Sequence, residues 1–147
     1  METCVHENNP YFDPAATVTA VVLRPDQPSP HVLLTRRAIE PFKDHWCLPG
    51  GHVDRYESSY NAIVREVREE TGLTFTGQSF GSFDEIFPDR RIHHVVTAFA
   101  GIGTGTLEAQ EDEVSDMKWF PLEEALTMAL AFVHQDILKA YAQSLKS

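Results

Sequence analysis

A chain of 147 residues with 42% hydrophobic content fits one domain with a substantial core, and its nine Phe, four Tyr and two Trp exclude wholesale disorder. The 22 acidic residues against 12 basic ones give a net charge of -10, which sets the surface against a bare polyanion such as DNA. A small phosphorylated ligand stays open to such a chain if metal cations or a few placed arginines bridge the charge mismatch, and the acidity also serves solubility. Cys4 and Cys47 lie far apart and form no CxxC pair, which argues against a disulfide framework or a zinc site; Cys47, in an apolar stretch, reads as a buried thiol. The opening METCVHENNPYFD has no apolar signal-peptide core, and no apolar run reaches membrane-spanning length. The expectation is a soluble, cytoplasmic protein with no membrane partner.

In chain order, residues 1–13 read as a loose arm and 14–147 as a single domain. Residues 16–24 (ATVTAVVLR) are rich in β-branched side chains and predict a strand; the turn PDQPSP follows, then a second strand at 31–37 (HVLLTRR), the two suggesting a hairpin. Residues 46–48 are a short extended piece, ended by Pro49-Gly50-Gly51 as loop punctuation. Residues 58–71 predict a helix, with Ser58 or Ser59 to cap its start and Gly72 to end it in the left-handed conformation. Strands are expected at 74–87 and 92–100, a glycine-rich turn at 101–105, an acidic loop at 108–116 and an extended piece at 118–120. Pro121 marks a helix start before LEEALTMAL, and an amphipathic helix covers about 133–145. The fold class is α+β, a mixed sheet packed by helices, with the middle helix between two loops.

The informative stretch is GHVDRYESSYNAIVREVREETGL, residues 51–73. On a helix Glu66, Glu69 and Glu70 are related by i,i+3 and i,i+4 and share one face, over an arc of about 100°. Ile63, Val67 and Thr71, with Val64 and Tyr60, lie on the adjoining face and should be buried. Each like-charged pair costs ~0.2–0.5 kcal/mol when exposed, and more when partly buried. A solvated acidic face is the ordinary explanation of such a run. Hard divalent cations reverse the sign of the repulsion, since Mg²⁺ prefers carboxylate oxygens and water, and Glu57 before the helix could reach the same cluster.

The full spacing decides between these. Gly51, Glu57, Arg65, Glu66, Val67, Glu69, Glu70, Gly72 and Leu73 match every position of the Nudix box, with a chance per starting position on the order of one in a billion at ordinary residue frequencies. The segment therefore resembles the Nudix hydrolase superfamily, and VLLTRRA, PFKDHWCLPGG and WFPLEEAL extend the resemblance over roughly residues 15–145. PFKDHWCLPGGHVD, FPDRRIHHVV and LAFVHQDIL are similar to the branch that hydrolyses ADP-ribose and related nucleotide sugars. One departure is Val133, where that branch leads one to expect an acid before His134.

The resemblance implies an α/β/α sandwich with a loop-helix-loop catalytic motif. It implies Mg²⁺, with Mn²⁺ as the alternative, on Glu66, Glu69 and Glu70, helped by Glu57 and the Gly51 carbonyl, and catalysis by Glu69 and Glu70. Arg65 is structural, pairing with Glu57 or a neighbouring carboxylate, and so is Gly72. A general base comes from the acidic loop: Glu111, Asp112 and Glu113 are candidates, and Glu113, six residues before Trp119, has the expected spacing, with Glu70 acting directly as the fallback. Arg37, Arg90 and Arg91 are candidates for the diphosphate, and Phe12, Phe42 and Trp46 for stacking on adenine, although core or lid packing is the readier explanation of each aromatic. His93 and His94 are adjacent on a strand, point to opposite faces and cannot share a zinc ion. The expected substrate is ADP-ribose or a similar nucleoside diphosphate sugar. A nucleoside triphosphate pyrophosphatase is the alternative. A nucleotide-sugar sensor is the third reading, opposed by the intact box carboxylates and by the lack of a DNA-binding segment after the fold. A homodimer, using the N-terminal arm, is expected by resemblance.

Overall fold

The computed structural model describes residues 14–108 and 112–146. The N-terminal arm with Cys4 and Phe12, and Glu111 of the acidic loop, lie outside the described residues. Seven strands run β1 Ala15–Leu23, β2 His31–Arg37, β3 Trp46–Cys47, β4 Gly50–His52, β5 Thr74–Phe87, β6 Ile92–Thr104 and β7 Val114–Pro121. Among the described residues the helices are α1 Ser59–Thr71, α2 Leu122–Ala125 and α3 His134–Ser144, and a 3₁₀ turn spans Pro88–Arg90. The sheet order is β3-β2-β1-β6-β5, with β4 added to β1 and β7 to β2. Only β1 and β6 pair in parallel, from Ala15 opposite His94 to Leu23 opposite Ile102; the remaining pairs are antiparallel.

Alternation along β1 builds a core on each face of this mixed sheet. Val18, Ala20 and Val22 join Leu33, Ile63, Val67, Phe75 and Phe99 on the α1 side. Val21 joins Leu34, Val96, Ala98, Ile137 and Leu138 on the α3 side. The result is the expected α+β sandwich of helix, sheet and helix. No helix among the described residues is long and apolar enough to cross a membrane.

The structure departs from the sequence reading at several points, each for a reason of pairing or burial. β1 and β2 meet only at Leu23 and Val32, because β4 takes the edge of β1 at Thr17–Thr19 and β7 takes β2 along its whole length; the hairpin exists only at its base. Gly50 and Gly51 therefore belong to a strand and not to a loop. β6 runs through the expected glycine turn to Thr104, because β5 offers a partner as far as Thr74. β2 draws in β7 from Val114, so the acidic loop ends at Glu113. The helix after Pro121 lasts four residues, and the chain then turns so that Leu130 and Ala131 are buried, with the Ala131 N–H donating to the Trp46 carbonyl at 2.9 Å. Tyr60 is 41% exposed, not buried.

Helix α1 has the predicted ends. Ser58 caps it, its side chain accepting from the Asn61 N–H at 3.1 Å, and Gly72 closes it at φ 82° with its N–H on the Arg68 carbonyl. A side chain at 72 would adopt a left-handed conformation and crowd the Thr106 carbonyl. Gly72→Ala should cost about 1–2 kcal/mol from the backbone alone, and Gly72→Asn less, since Asn tolerates that region. Denaturant unfolding of the two variants checks this ranking; Ala as stable as Gly would contradict the left-handed cap.

Candidate active site

The loop after β4 and the amphipathic helix α1 bring the carboxylates of Glu57, Glu66 and Glu69 around one cation, Arg65. Arg65 Nε donates to Glu57 Oε2 at 2.8 Å and Nη2 to Glu57 Oε1 at 2.9 Å, a bidentate pair. Its Nη1 donates to Glu66 Oε2 at 3.0 Å and to Glu69 Oε1 at 3.1 Å, and Nη2 also reaches the His52 carbonyl at 3.0 Å. Glu57 accepts in addition from the Asp54 N–H at 2.9 Å. The Arg65 hydrogen bonds, joined by that backbone N–H, hold the Glu57 carboxyl down at about 2. Glu57 in turn pushes the Arg65 guanidinium above its ordinary range.

Glu70 turns to the other side of the cluster and accepts the Gly50 N–H on Oε1 at 3.1 Å, tying the last turn of α1 to β4. Gly51 sits directly against the Glu66 carboxylate, where a Cβ would collide with it. This close approach and the all-oxygen donor set fit a hard divalent cation. The expected ligands Gly51, Glu57, Glu66, Glu69 and Glu70 are thus gathered at one end of α1. They are not closed onto a single point: among the described residues no three His, Cys, Asp or Glu side chains stand together closely enough to hold an ion, because Arg65 draws Glu57, Glu66 and Glu69 to itself.

Beside this cluster lies a cleft of about 380 Å³. Gly50, Gly51 and Glu70 form one wall and Thr17, Val18 and Thr19 of β1 the floor. Arg37, Glu113 and Phe132 stand on its rim, and Glu85, His94 and His134 close the far wall. Arg37 Nε donates to the Pro41 carbonyl at 2.6 Å and its guanidinium lies over the Phe132 ring, 5.0 Å from the centroid. Phe132 itself has φ 56°, a conformation bulky residues rarely adopt. The Glu113 side chain is exposed and lines the cleft, anchored by its carbonyl, which accepts the Ala38 N–H at 2.8 Å.

The other candidates are not brought to the cleft. Asp112 is exposed and does not line it. Arg90 lies over the Phe42 ring, 4.2 Å from its centroid, and Arg91 is exposed at φ 57° at the end of the 3₁₀ turn. Phe42 packs on Phe132 behind the rim. Trp46 meets Phe120 edge-on at 5.1 Å and joins the α3-side core, so its ring serves packing. His93 is exposed while His94 turns inward, as two adjacent strand residues must.

Sequence reasoning missed Glu85, and left His134 without a role. His134 Nδ1 accepts the Leu48 N–H at 3.0 Å, which places the ring proton on Nε2, 3.7 Å from Glu85 Oε2. Burial, against the opposing pull of Glu85, depresses the His134 pKa to about 4, so the ring is neutral at pH 7. The acid expected just before His134 is Val133; a carboxylate nevertheless stands beside the ring, supplied by Glu85 of β5, whose Oε2 also lies 3.4 Å from the Val133 N–H. The available signal was strand parity: Phe83, Glu85 and Phe87 share one face of β5.

Three comparisons bear on this geometry. The NUDIX domain family model matches residues 13–141. The ADP-ribose pyrophosphatase of Methanocaldococcus jannaschii is 33% identical over 133 residues, 89% of this chain and 75% of that protein. The ADPR responsive transcriptional repressor NtrR of Acinetobacter baylyi is 32% identical over 91% of this chain, which spans only 55% of the repressor. Among solved structures, the NUDIX domain of Shewanella oneidensis NrtR complexed with ADP ribose superimposes with a TM-score of 0.81 at 28% identity, covering 99% of both chains.

The Glu57–Arg65 pair has a pH signature. A carboxylate whose folded pKa is about 2, against 4.5 ordinarily, contributes stability that is complete above pH 4.5 and is lost as pH falls toward 2. The Tm difference between the parent and Glu57→Gln should therefore be largest above pH 5 and close toward pH 2. Melting curves across that range in EDTA check it; a gap that stayed constant with pH would show that the carboxylate charge is not what Arg65 holds.

Proposed function

The chain belongs to the Nudix family and is a pyrophosphohydrolase of that family, and from this premise we propose that it splits the diphosphate of ADP-ribose, or of a related nucleoside diphosphate sugar, into a nucleoside monophosphate and a sugar phosphate. The observation that carries the reading is the shared cleft, in which Gly51 and Glu70 of the motif face Arg37 and Glu113. The relative that hydrolyses ADP-ribose and the NUDIX domain that binds it support the substrate. The net charge of -10 supports a small-molecule substrate over a nucleic-acid partner.

Glu66, Glu69 and Glu70, with Glu57 and the Gly51 carbonyl, would hold Mg²⁺ or Mn²⁺, which when bound offsets phosphate charge and lowers the pKa of water. The chain's own groups divide the remaining work. Arg65 keeps Glu57, Glu66 and Glu69 on one side of α1. Arg37, held against Phe132 on the rim, offers guanidinium donors to diphosphate oxygens. Glu113, exposed on the same rim, takes the proton of the attacking water. Glu70 is the fallback for that step.

Two measurements test the reading. Turnover of ADP-ribose should vanish in excess EDTA, and Glu70→Gln should lower kcat roughly 10²–10⁴-fold, about 3–5 kcal/mol in the barrier. Gln keeps an oxygen for the Gly50 N–H, so the Tm in EDTA should stay within a few degrees of the parent. A variant with parental kcat but a lower Tm would make Glu70 structural. In a substrate panel, kcat/KM for ADP-ribose should exceed that for every nucleoside triphosphate; a triphosphate tenfold better than all nucleotide sugars would replace this reading by nucleotide-pool sanitising.

A further inference from the structure

The far wall of the cleft is built from an interruption in a hydrophobic sheet face. In the β5–β6–β1 register, Glu85 stands opposite His94 and His94 opposite Ala15; the next row is Phe83, Val96 and Thr17. Further along the same face, Val96, Ala98 and Val21 pack into the α3-side core. At the cleft end that apolar surface gives way to Glu85, 2% exposed, and Thr17, 7% exposed. His94 Nδ1 lies 2.7 Å from Glu85 Oε1, while Oε2 has only the longer approaches of the Val133 N–H at 3.4 Å and His134 Nε2 at 3.7 Å. Thr17 Oγ1 is, among the described residues, the one buried side-chain polar atom with no hydrogen-bond partner. Both groups line the cleft. A buried hydroxyl without a partner and a buried carboxylate with weak ones each cost stability, and a floor selected for packing alone would carry Val and Leu there.

The chemistry of these groups selects what they would meet. Burial pushes the Glu85 pKa up, but the His94 hydrogen bond and the neighbouring His134 outweigh it and hold the carboxyl below its ordinary value. An ionised carboxylate only accepts hydrogen bonds, so it repels phosphate and takes hydroxyl or amine donors. Two acceptor oxygens and, across β6 and one row along the same cleft, a hydroxyl that both donates and accepts match the vicinal hydroxyls of a pentose, the pairing acids make with ribose in dinucleotide sites. We propose that Glu85 and Thr17 form a specificity-determining subsite that hydrogen-bonds the vicinal hydroxyls of a substrate pentose and turns phosphate toward the Glu70 wall. The proposal rests on the nucleotide-sugar reading above. His94 acts as a positioning residue, fixing the carboxylate from behind.

The test compares the parent, Thr17→Val and Glu85→Gln on ADP-ribose, on IDP-ribose, which lacks the 6-amino group of the base, and on ADP-ribose analogues lacking the 2-hydroxyl of either ribose. Thr17→Val removes an unpartnered hydroxyl without changing shape, so its Tm should equal or exceed the parent's while its KM for ADP-ribose rises about five- to tenfold and kcat stays within threefold. Glu85→Gln should raise KM at least tenfold, equally on IDP-ribose. On one of the two deoxy analogues the difference between parent and variants should largely disappear. Parental KM values in Thr17→Val, which bears on the proposal even if Glu85→Gln does not fold, overturn the subsite while leaving the hydrolase reading intact. An effect of Glu85→Gln that vanishes on IDP-ribose and persists on both deoxy analogues overturns it in favour of a base-amine contact. A parent that turns over no nucleotide sugar removes the substrate reading itself, and the subsite with it.

Discussion

Four carboxylates crowd the last turns of α1 and the loop before it, and the Arg65 guanidinium is what lets them coexist. Like charges at helical spacing repel by ~0.2–0.5 kcal/mol per exposed pair, and burial strengthens the repulsion. Here Glu57 and Glu66 expose only 16% and 13% of their side chains, so the unfavourable sum is not screened away by water. A planar fork of five donors can serve Glu57 on one edge, Glu66 and Glu69 on another and the His52 carbonyl besides; an ammonium could not reach all of them from one position. The same contacts fasten the loop after β4 to the helix. The position of Gly51 against Glu66, and of Glu70 against Gly50, follows from that fastening.

From there the order passes into the sheet. β4 is three residues long and would not persist alone; it is held by Arg65 through His52 on one side and by β1 through Thr17, Val18 and Thr19 on the other. β1 is the strand on which both cores converge, flanked by the parallel β6 and by β4 and β2. Its register decides which residues floor the cleft. The parity that buries Val18, Ala20 and Val22 under α1 turns Thr17 and Thr19 to the other face, where the cleft opens. A one-residue slip would exchange the two sets, so the packing of α1 and the make-up of the cleft floor are a single constraint.

The sequence was most legible where chemistry imposes spacing. The motif from Gly51 to Leu73 could be read complete, with the Ser58 cap, the Gly72 stop and the Arg65–Glu57 pair, because each is a short-range relation along the chain. Strand existence was equally legible from β-branched runs. Partner choice was not: the sequence of β1 does not say that β4 and β6 would take it in preference to β2, and residues 101–104, glycine-rich and apparently a turn, stay in the sheet because β5 is long enough to pair with them. The arginines fared unevenly for a similar reason. Arg37 reaches the cleft because β2 ends at its rim, while Arg90 and Arg91 sit on a 3₁₀ turn that carries them to Phe42 and to solvent. Glu85 escaped notice because an acid in a strand is ordinarily solvent-facing; only the pairing that sets it opposite His94 and under His134 shows it to be buried.

An acidic protein that handles an anionic substrate must sort charge over short distances. One wall of the cleft carries Glu70, the edge of the α1 carboxylate cluster, whose sign suits a cation shared with phosphate. The rim carries Arg37, stacked on Phe132 so that its charge points over the opening without being consumed by a carboxylate partner among the described residues. The far wall carries Glu85, a buried carboxylate bound by His94. Two sets of carboxylates therefore bound one cleft with opposite consequences. The α1 set would attract phosphate once a cation is present, and Glu85 would repel it while accepting hydroxyls. A linear substrate with a diphosphate at its middle and polyhydroxyl groups on either side can satisfy both walls at once, whereas a triphosphate tail extending to the far wall would meet Glu85. Discrimination of that kind arises from an unfavourable contact as much as from a favourable one, and it needs no residue beyond those the sheet register already places there.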